Sequence, residues 1–252
     1  MTAALLFAAA VLAEPTAPAA ATAAEPAAAG VSLLRVDDSG EGFANWTGVN
    51  FGGEGLVEVV AAGEDEDADE PPRGPILRIG AGDPLTGVKY TGPVDGDDGD
   101  DGDDNGGDST NDDSAADSLP RINYRLTWQA RRTLGGDFFS SVLFPVGDDL
   151  CSVVVGGWGG GVIGLSSLDG MDASENITTN FQLFDDDTWY DFALTVTPGT
   201  IELTIDGEAM FEVNPADYAV TTRIEMEPLK PLGLATYQST GEIRDLRVER
   251  LE

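Results

Sequence analysis

The chain has 252 residues, with 46 acidic against 13 basic side chains, a formal net charge of −33, one cysteine and no histidine. A surface this acidic repels phosphate backbones and anionic lipid headgroups, so nucleic acids and membrane surfaces are poor partners. The missing histidine excludes Ser-His-Asp triads, Cys-His dyads, histidine-bound zinc and imidazole acid–base catalysis, which leaves carboxylates, Arg, Lys, Tyr or an oxygen-bound metal ion for any catalysis.

The first 30 residues carry no strand pattern. Residues 1–13 form a short apolar run that resembles the hydrophobic part of a secretory signal, although a positively charged start is missing. The run is too short to span a bilayer. Residues 14–30 are rich in Ala and Pro, which predicts a flexible spacer. We therefore expect a secreted protein, or one of the periplasm or cell envelope, without a transmembrane segment.

A single folded domain is predicted over residues 31–252, because short apolar runs there alternate with turn clusters. Pro198-Gly199 and Asp206-Gly207 are strong hairpin signals. No amphipathic helix of ten or more residues is predicted, so the pattern indicates an all-β sandwich. The main predicted strands are 31–36, 55–60, 76–79, 87–91, 124–131, 138–146, 150–155, 189–197, 201–206, 209–213, 223–226, 232–236 and 242–251.

An acidic insertion interrupts this rhythm at residues 93–118, which are almost entirely Asp, Gly, Asn and Ser. Such a tract has little to bury and predicts a loop that is disordered or ordered by an ion. It contains a calcium-loop spacing of oxygen ligands, although a chance match is an alternative in so biased a tract. The predicted ligands of Ca²⁺ are Asp101, Asp103, Asn105 and Asp112. The overall charge therefore has two explanations, adaptation to salty surroundings or local calcium capture.

The segment 124–131 alternates between two faces. Tyr124, Leu126, Trp128 and Ala130 suit the core. The opposite row includes Arg125, Gln129 and Arg131, and we hypothesise that it binds a sugar or a carboxylate, because guanidinium groups offer planar, bidentate donors. The alternative is charge balancing on an exposed strand.

Trp158 lies within a glycine-rich loop, Gly156 to Gly161. Glycine lets the backbone approach a ligand closely or adopt positive φ. An indole placed there can stack on a sugar ring. The alternative is that Trp158 folds inward and plugs one end of the sandwich. Cys151, in the apolar run just before this loop, is predicted to be a buried structural thiol.

Three carboxylates follow the glycine loop at Asp169, Asp172 and Glu175. Glycoside chemistry uses a pair of carboxylates, one as acid and one as base or nucleophile, so these three are the candidate catalytic residues. The alternative is that they cap a turn or bind an ion. In a chain with 46 acidic residues, such a cluster is expected by chance as well.

Six segments together point to one known domain, and they are residues 124–131, 140–144, 188–192, 201–207, 231–235 and 241–248. In these segments the chain resembles the 3-keto-disaccharide hydrolase domain, formerly a domain of unknown function. It implies a concanavalin A-like, laminin-G-like jelly roll of two antiparallel sheets that acts on oxidised glycosides, or binds carbohydrate where activity is lost. We therefore expect a carbohydrate-active hydrolase or lyase of 3-keto-glycosides. The alternatives are a non-catalytic glycan-binding module and a structural envelope or adhesion domain.

Overall fold

The computed structural model describes residues 30–60, 74–96 and 118–252. Within these ranges the regular structure is almost wholly strand, with a left-handed turn at Gly157–Gly160 and 3₁₀ helices at Pro215–Asp217 and Ile224–Leu229. The strands are β1 (Val31–Ser32), β2 (Trp46–Gly48), β3 (Val57–Val60), β4 (Ile76–Ile79), β5 (Leu85–Tyr90), β6 (Tyr124–Gly135), β7 (Ser140–Val146), β8 (Asp149–Gly156), β9 (Val162–Ser166), β10 (Asn180–Phe181), β11 (Tyr190–Thr197), β12 (Thr200–Ile205), β13 (Glu208–Val213), β14 (Gly233–Tyr237) and β15 (Ser239–Arg250).

The strands form two antiparallel sheets. The eight-stranded sheet has the order β13-β12-β11-β6-β15-β4-β3, with β1 also paired to β15. The seven-stranded sheet has the order β10-β9-β8-β7-β14-β5-β2. The first strand, β1, pairs with the last strand, β15, and this pairing brings the two ends of the domain together. This arrangement confirms the predicted all-β jelly-roll sandwich.

The core lies between the sheets, and the alternation in β6 fills it as predicted. Tyr124, Leu126 and Ala130 are fully buried, and Trp128 is 2% exposed. The Trp128 ring stacks on Phe192 of β11 with centroids 5.1 Å apart. Its Nε1 donates a hydrogen bond of 3.1 Å to Ser140 Oγ on the other sheet. The indole therefore joins the two layers through both packing and its one polar atom.

Cys151 is buried in β8, as the sequence predicted. Burial in the apolar core raises the pKa of its thiol to about 12. A thiol that stays protonated at neutral pH is a poor nucleophile, so this cysteine contributes packing only.

The strand predicted at residues 223–226 is wrong, because the segment Ile224–Leu229 is a 3₁₀ helix. Met226 and Leu229 are spaced by three residues and are both buried, whereas Ile224 is 82% exposed. That spacing fits the three residues per turn of a 3₁₀ helix and not the two-residue period of a strand. Pro228, which has no N–H to give to a sheet, also favours the helical turn.

A clip holds together the two described ends of the acidic insertion. Val94 and Leu119 form a parallel bridge, and the Asp95 N–H donates to the Leu119 carbonyl at 2.9 Å. Arg250 donates to both carboxylate oxygens of Asp95 at 2.7 Å, and also to the Ser118 carbonyl at 2.9 Å. The Arg250 guanidinium lowers the pKa of the Asp95 carboxyl. The interior of the insertion, residues 97–117, lies outside the described residues, as do residues 1–29, where the signal and most of the spacer are predicted.

Candidate functional site

A cleft of about 370 Å³ lies on the outer face of the seven-stranded sheet, the face turned away from the core. Alternate residues of β7 and β8 point to this face, among them Ser141 and Ser152, while Val142 and Val153 point into the core. The Ile224–Leu229 helix covers another part of this face through Leu229, which packs on glycines of β5 and β14. The cleft lies beside the helix, and Met226 of the helix contributes to its lining.

Trp158 stands at the edge of the cleft and is 49% exposed. Its φ is 50°, and the flanking Gly156 and Gly159 have φ of 78° and 89°. Positive φ is uncommon for a residue with a side chain, so the neighbouring glycines make this turn possible. The interpretation of Trp158 as an inward plug is therefore wrong, and the indole is available at the rim.

Asp137 anchors the glycine turn beneath the indole. Its Oδ1 accepts a hydrogen bond from the Phe138 N–H at 2.8 Å, and its Oδ2 accepts one from the Gly159 N–H at 3.3 Å. The Ser239 hydroxyl in turn ties down the backbone of Asp137, accepting from its N–H at 2.9 Å and donating to its carbonyl at 3.0 Å. The turn that carries Trp158 is thus fixed to both sheets, since Ser239 belongs to β15.

The floor of the cleft combines apolar side chains with buried hydroxyl groups. Phe138 and Tyr237 pack with ring centroids 5.5 Å apart, and Leu85, Val154 and Met226 complete the apolar part. The hydroxyl groups belong to Ser141, Ser152 and Ser166, all at most 1% exposed. A mostly apolar concavity with a few oriented polar groups is the usual composition of a small-ligand site.

The charged wall of the cleft is an Arg223 guanidinium held between two carboxylates. Its Nη2 and Nε donate to the two oxygens of Glu225 at 3.0 and 3.3 Å, and its Nη1 donates to Asp172 Oδ1. The guanidinium lowers the pKa of Glu225, and the hydrogen bonds to Glu225 and then Asp172 raise the pKa of Arg223. Arg223 and Glu225 therefore stay charged at neutral pH, and Asp172 is bonded to the same guanidinium.

Only one of the three predicted catalytic carboxylates lies in the cleft. Asp172 lines the cleft, but Asp169 and Glu175 are exposed residues of the connection after β9. Asp169 Oδ1 accepts from the Ala219 N–H at 2.7 Å, and the Glu175 N–H donates to the Asp172 carbonyl at 2.9 Å. These bonds stabilise turns, so the structure does not bring the three carboxylates together into one site.

The predicted sugar-binding row of β6 lies on the outer face of the eight-stranded sheet, across the core from the cleft. Arg125 donates to Thr195 Oγ1 at 3.3 Å, and Gln129 donates to an Asp191 oxygen at 2.6 Å. Arg131 donates to Glu242 at 2.7 Å. These bonds fit the charge-balancing alternative, and the row cannot share a ligand with Trp158.

The residues of the cleft that the sequence did not indicate include Asp137, Arg223, Glu225 and the three serines of the floor. A usable signal was present for the hydroxyl groups, because Ser141, Ser152 and Ser166 each interrupt an apolar run. Arg223 and Asp172 are 51 positions apart in the sequence, and no local pattern links them.

Within the described ranges, no three carboxylates or thiols lie close enough together to hold a metal ion. The predicted calcium ligands Asp101, Asp103, Asn105 and Asp112 fall outside those ranges, so that site stays a prediction. Among the same described residues, no helix has the length and apolar character needed to cross a membrane.

Neither a known family model nor a curated protein matches the sequence. Among solved structures, the chain is similar to the carbohydrate binding module CBM66 from Bacillus subtilis, with a TM-score of 0.44, 10% identity and coverage of 81% of this chain and 95% of the other. It is also similar to domain 4 of AbnA, a GH43 extracellular arabinanase from Geobacillus stearothermophilus, in complex with arabinotriose. That match has a TM-score of 0.45, 12% identity and coverage of 87% of both chains.

Proposed function

We propose that this protein binds a saccharide in the cleft of the seven-stranded sheet, with Trp158 as the stacking platform. The observation that carries the proposal is the position of Trp158, about half exposed at the rim of a cleft with a hydroxyl-bearing floor. One indole face can cover the C–H surface of a sugar ring while the floor offers hydrogen bonds to its hydroxyl groups. Export, the predicted location, would bring the protein into contact with extracellular or envelope glycans.

Binding suits the cleft carboxylates better than a two-carboxylate hydrolysis does. A general acid in a glycosidase needs a raised pKa, so that it holds its proton at neutral pH. The Arg223 guanidinium lowers the pKa of Glu225, and Asp172 is bonded to the same guanidinium. Glu225 is therefore suited to orient a ligand rather than to protonate a leaving group, and Asp172 Oδ1 is already taken up by its bond to Arg223.

The Trp158→Ala variant tests the proposal. We expect it to weaken binding of the best saccharide from a glycan array by at least about tenfold, since truncation of a central aromatic anchor typically costs about 2 kcal/mol or more. Isothermal titration calorimetry measures the change. Leu183→Ala is the control, because Leu183 is 78% exposed and lies outside the cleft lining. An unchanged dissociation constant for Trp158→Ala would remove the indole from the site.

A second candidate function is elimination or hydrolysis of 3-keto-glycosides, and Asp137 favours it. Its carboxylate lines the cleft without an arginine partner among the residues that the structure describes, unlike Asp172 and Glu225. A carboxylate base can take the proton from C2, next to the 3-keto group. The C–H electrons then form the C1–C2 double bond as the glycosidic oxygen leaves and takes a proton from water.

Asp137→Asn separates this candidate from binding alone. The amide oxygen can still accept the N–H bonds of the turn, but the base is lost. If the protein turns over a 3-keto-glucoside, we expect this variant to lower the rate by about 100-fold or more, with Glu175→Gln as the exposed control. Saccharide binding without turnover by the wild-type protein would leave binding as the function.

A further inference from the structure

The hydroxyl groups on the cleft floor are not equally satisfied. Ser141 Oγ donates to the Val153 carbonyl at 2.9 Å, and Ser152 Oγ donates to the Ser166 carbonyl at 2.6 Å. Ser152 and Ser166 face each other on the paired strands β8 and β9. Ser166 is only 1% exposed, yet its Oγ has no hydrogen-bond partner among the described residues.

An unpaired buried hydroxyl is unfavourable and uncommon in a folded protein. Ser166 lines the cleft, so a ligand bound there can provide the hydrogen-bond partner that its Oγ lacks among the described residues. A hydroxyl group both donates and accepts, which matches a sugar hydroxyl in either role. Ser152, directly across from Ser166, keeps acceptor lone pairs, because it uses its proton within the protein.

The charges of the cleft restrict the ligand in a different way. Three carboxylates, Asp137, Asp172 and Glu225, line it together with one guanidinium, which gives a formal charge of −2. All three nitrogens of Arg223 already donate to Asp172 or Glu225. Three of the five N–H donors of the guanidinium are therefore already bonded to carboxylates, and a carboxylate or sulfate of a ligand would also meet three acidic side chains of the same sign.

We infer that the cleft selects an uncharged saccharide unit, that Ser166 Oγ is its positioning hydrogen-bond partner, and that the carboxylates exclude uronates. The inference rests on the proposed saccharide binding and adds the ligand class and a specificity-determining residue. Trp158 supplies contact area that any sugar ring can use. Ser166 and the three carboxylates of the cleft determine which saccharides are bound.

Calorimetric titration with matched oligosaccharides tests the charge selection. The probes are neutral gluco-, xylo-, arabino- and fructo-hexasaccharides, together with hexagalacturonate as the anionic counterpart. We expect at least one neutral probe to bind, and hexagalacturonate to bind at least about tenfold more weakly, because like charges across a binding site discriminate strongly. Equal or tighter binding of the uronate overturns the charge selection but leaves saccharide binding intact. No binding of any probe removes the proposed function, and this inference with it.

A double variant provides the converse test. Asp172→Asn with Glu225→Gln removes two negative charges and releases Arg223 from its ion pairs. We expect this variant to narrow the affinity ratio between the best neutral probe and hexagalacturonate by about tenfold. An unchanged ratio would show that these carboxylates do not exclude uronates.

Ser166→Ala tests the positioning role. We expect it to lower the affinity for the best neutral probe by roughly two- to tenfold, the range for loss of one neutral hydrogen bond. The unfolding midpoint of the ligand-free variant should not fall, because Ser166 Oγ makes no bond to the described protein. Ser152→Ala, which loses the 2.6 Å bond, should lower that midpoint. Wild-type affinity in Ser166→Ala would overturn the role of this residue.

Discussion

Glu242 is a carboxylate buried within an acidic protein, and its two arginine partners make that burial possible. Its side chain is 1% exposed, while Arg78 donates to one oxygen at 2.6 and 2.8 Å and Arg131 to the other at 2.7 Å. Both arginines reach solvent on the outer face of the eight-stranded sheet. The buried charge is therefore paired on both sides, as burial of a carboxylate requires.

We expect Glu242→Ala to lower the free energy of unfolding by about 3 kcal/mol, near the lower end for breaking a buried ion pair, since the partly exposed arginines regain some solvation. Urea denaturation measures the change. The matched control is Glu58→Ala, because Glu58 pairs with the same Arg78 at 3.7 Å but is 44% exposed. Glu58→Ala should lower the free energy of unfolding by less than about 1 kcal/mol. Similar costs for both variants would contradict the expected role of burial.

Residue roles of this kind could be predicted only in part. The alternation in β6 correctly placed Trp128 in the core and Arg131 outside, because neighbouring side chains on a strand point to opposite faces. It could not show that Arg131 bonds Glu242, which is 111 positions away. For Trp158, the glycines indicated an unusual backbone, but only the packed sandwich decides whether the indole points inward or outward.

At the level of elements, the Ile224–Leu229 helix determines how much of the outer sheet face is open. Leu229 is fully buried against Gly87 and Gly233, where a hypothetical Cβ would come within 3.0 and 2.5 Å of its side chain. Small residues on the two strands thus let the helix settle closely on the sheet. Arg223 and Glu225 lie at its start and form the charged wall of the cleft.

We expect Leu229→Ala to destabilise the protein by about 2–5 kcal/mol, because it leaves a cavity between helix and sheet. Ile224→Ala in the same helix is the control and should change stability by less than about 0.5 kcal/mol, since Ile224 is 82% exposed. Thermal and urea unfolding of both variants would show the difference. A small effect of Leu229→Ala would mean that the helix is not held by this contact.

The elements that sequence reasoning recovered are those with a regular apolar period. The strand predicted at 76–79 agrees with β4, and the hairpins after β11 and β12 lie at the predicted turns. The error at residues 223–226 arose because four alternating residues fit a strand as well as one turn of a 3₁₀ helix. The two-residue strand β10 has too few residues to show any period, and none of the predicted strands covers it.

For the whole molecule, the net charge of −33 dominates the electrostatics. Self-repulsion of this size destabilises the compact state, and dissolved salt screens it over about 10 Å at 0.1 M ionic strength and less at higher salt. Of the 13 basic residues, only Lys89 and Lys230 are lysines, and many of the arginines are bound to carboxylates within the described fold. Few cations therefore remain to offset the acidic surface.

We expect NaCl to raise the midpoint of thermal unfolding, by on the order of 5 °C between 0.1 and 2 M, through screening of this repulsion. CaCl₂ at matched ionic strength distinguishes the two explanations of the charge. An equal rise in both salts indicates general screening, whereas a larger rise at millimolar CaCl₂ indicates specific capture. No gain in either salt would contradict both explanations.

The clip at Asp95, Ser118 and Arg250 also makes the domain modular. Both ends of the acidic insertion meet at one point on the sandwich, and the cost of closing a loop rises by only about 0.6 kcal/mol for each doubling of its length. Segments of different length and sequence can therefore be exchanged there without a change in either sheet. The position is a natural graft site for a foreign peptide or reporter domain, provided that the three clip residues are kept.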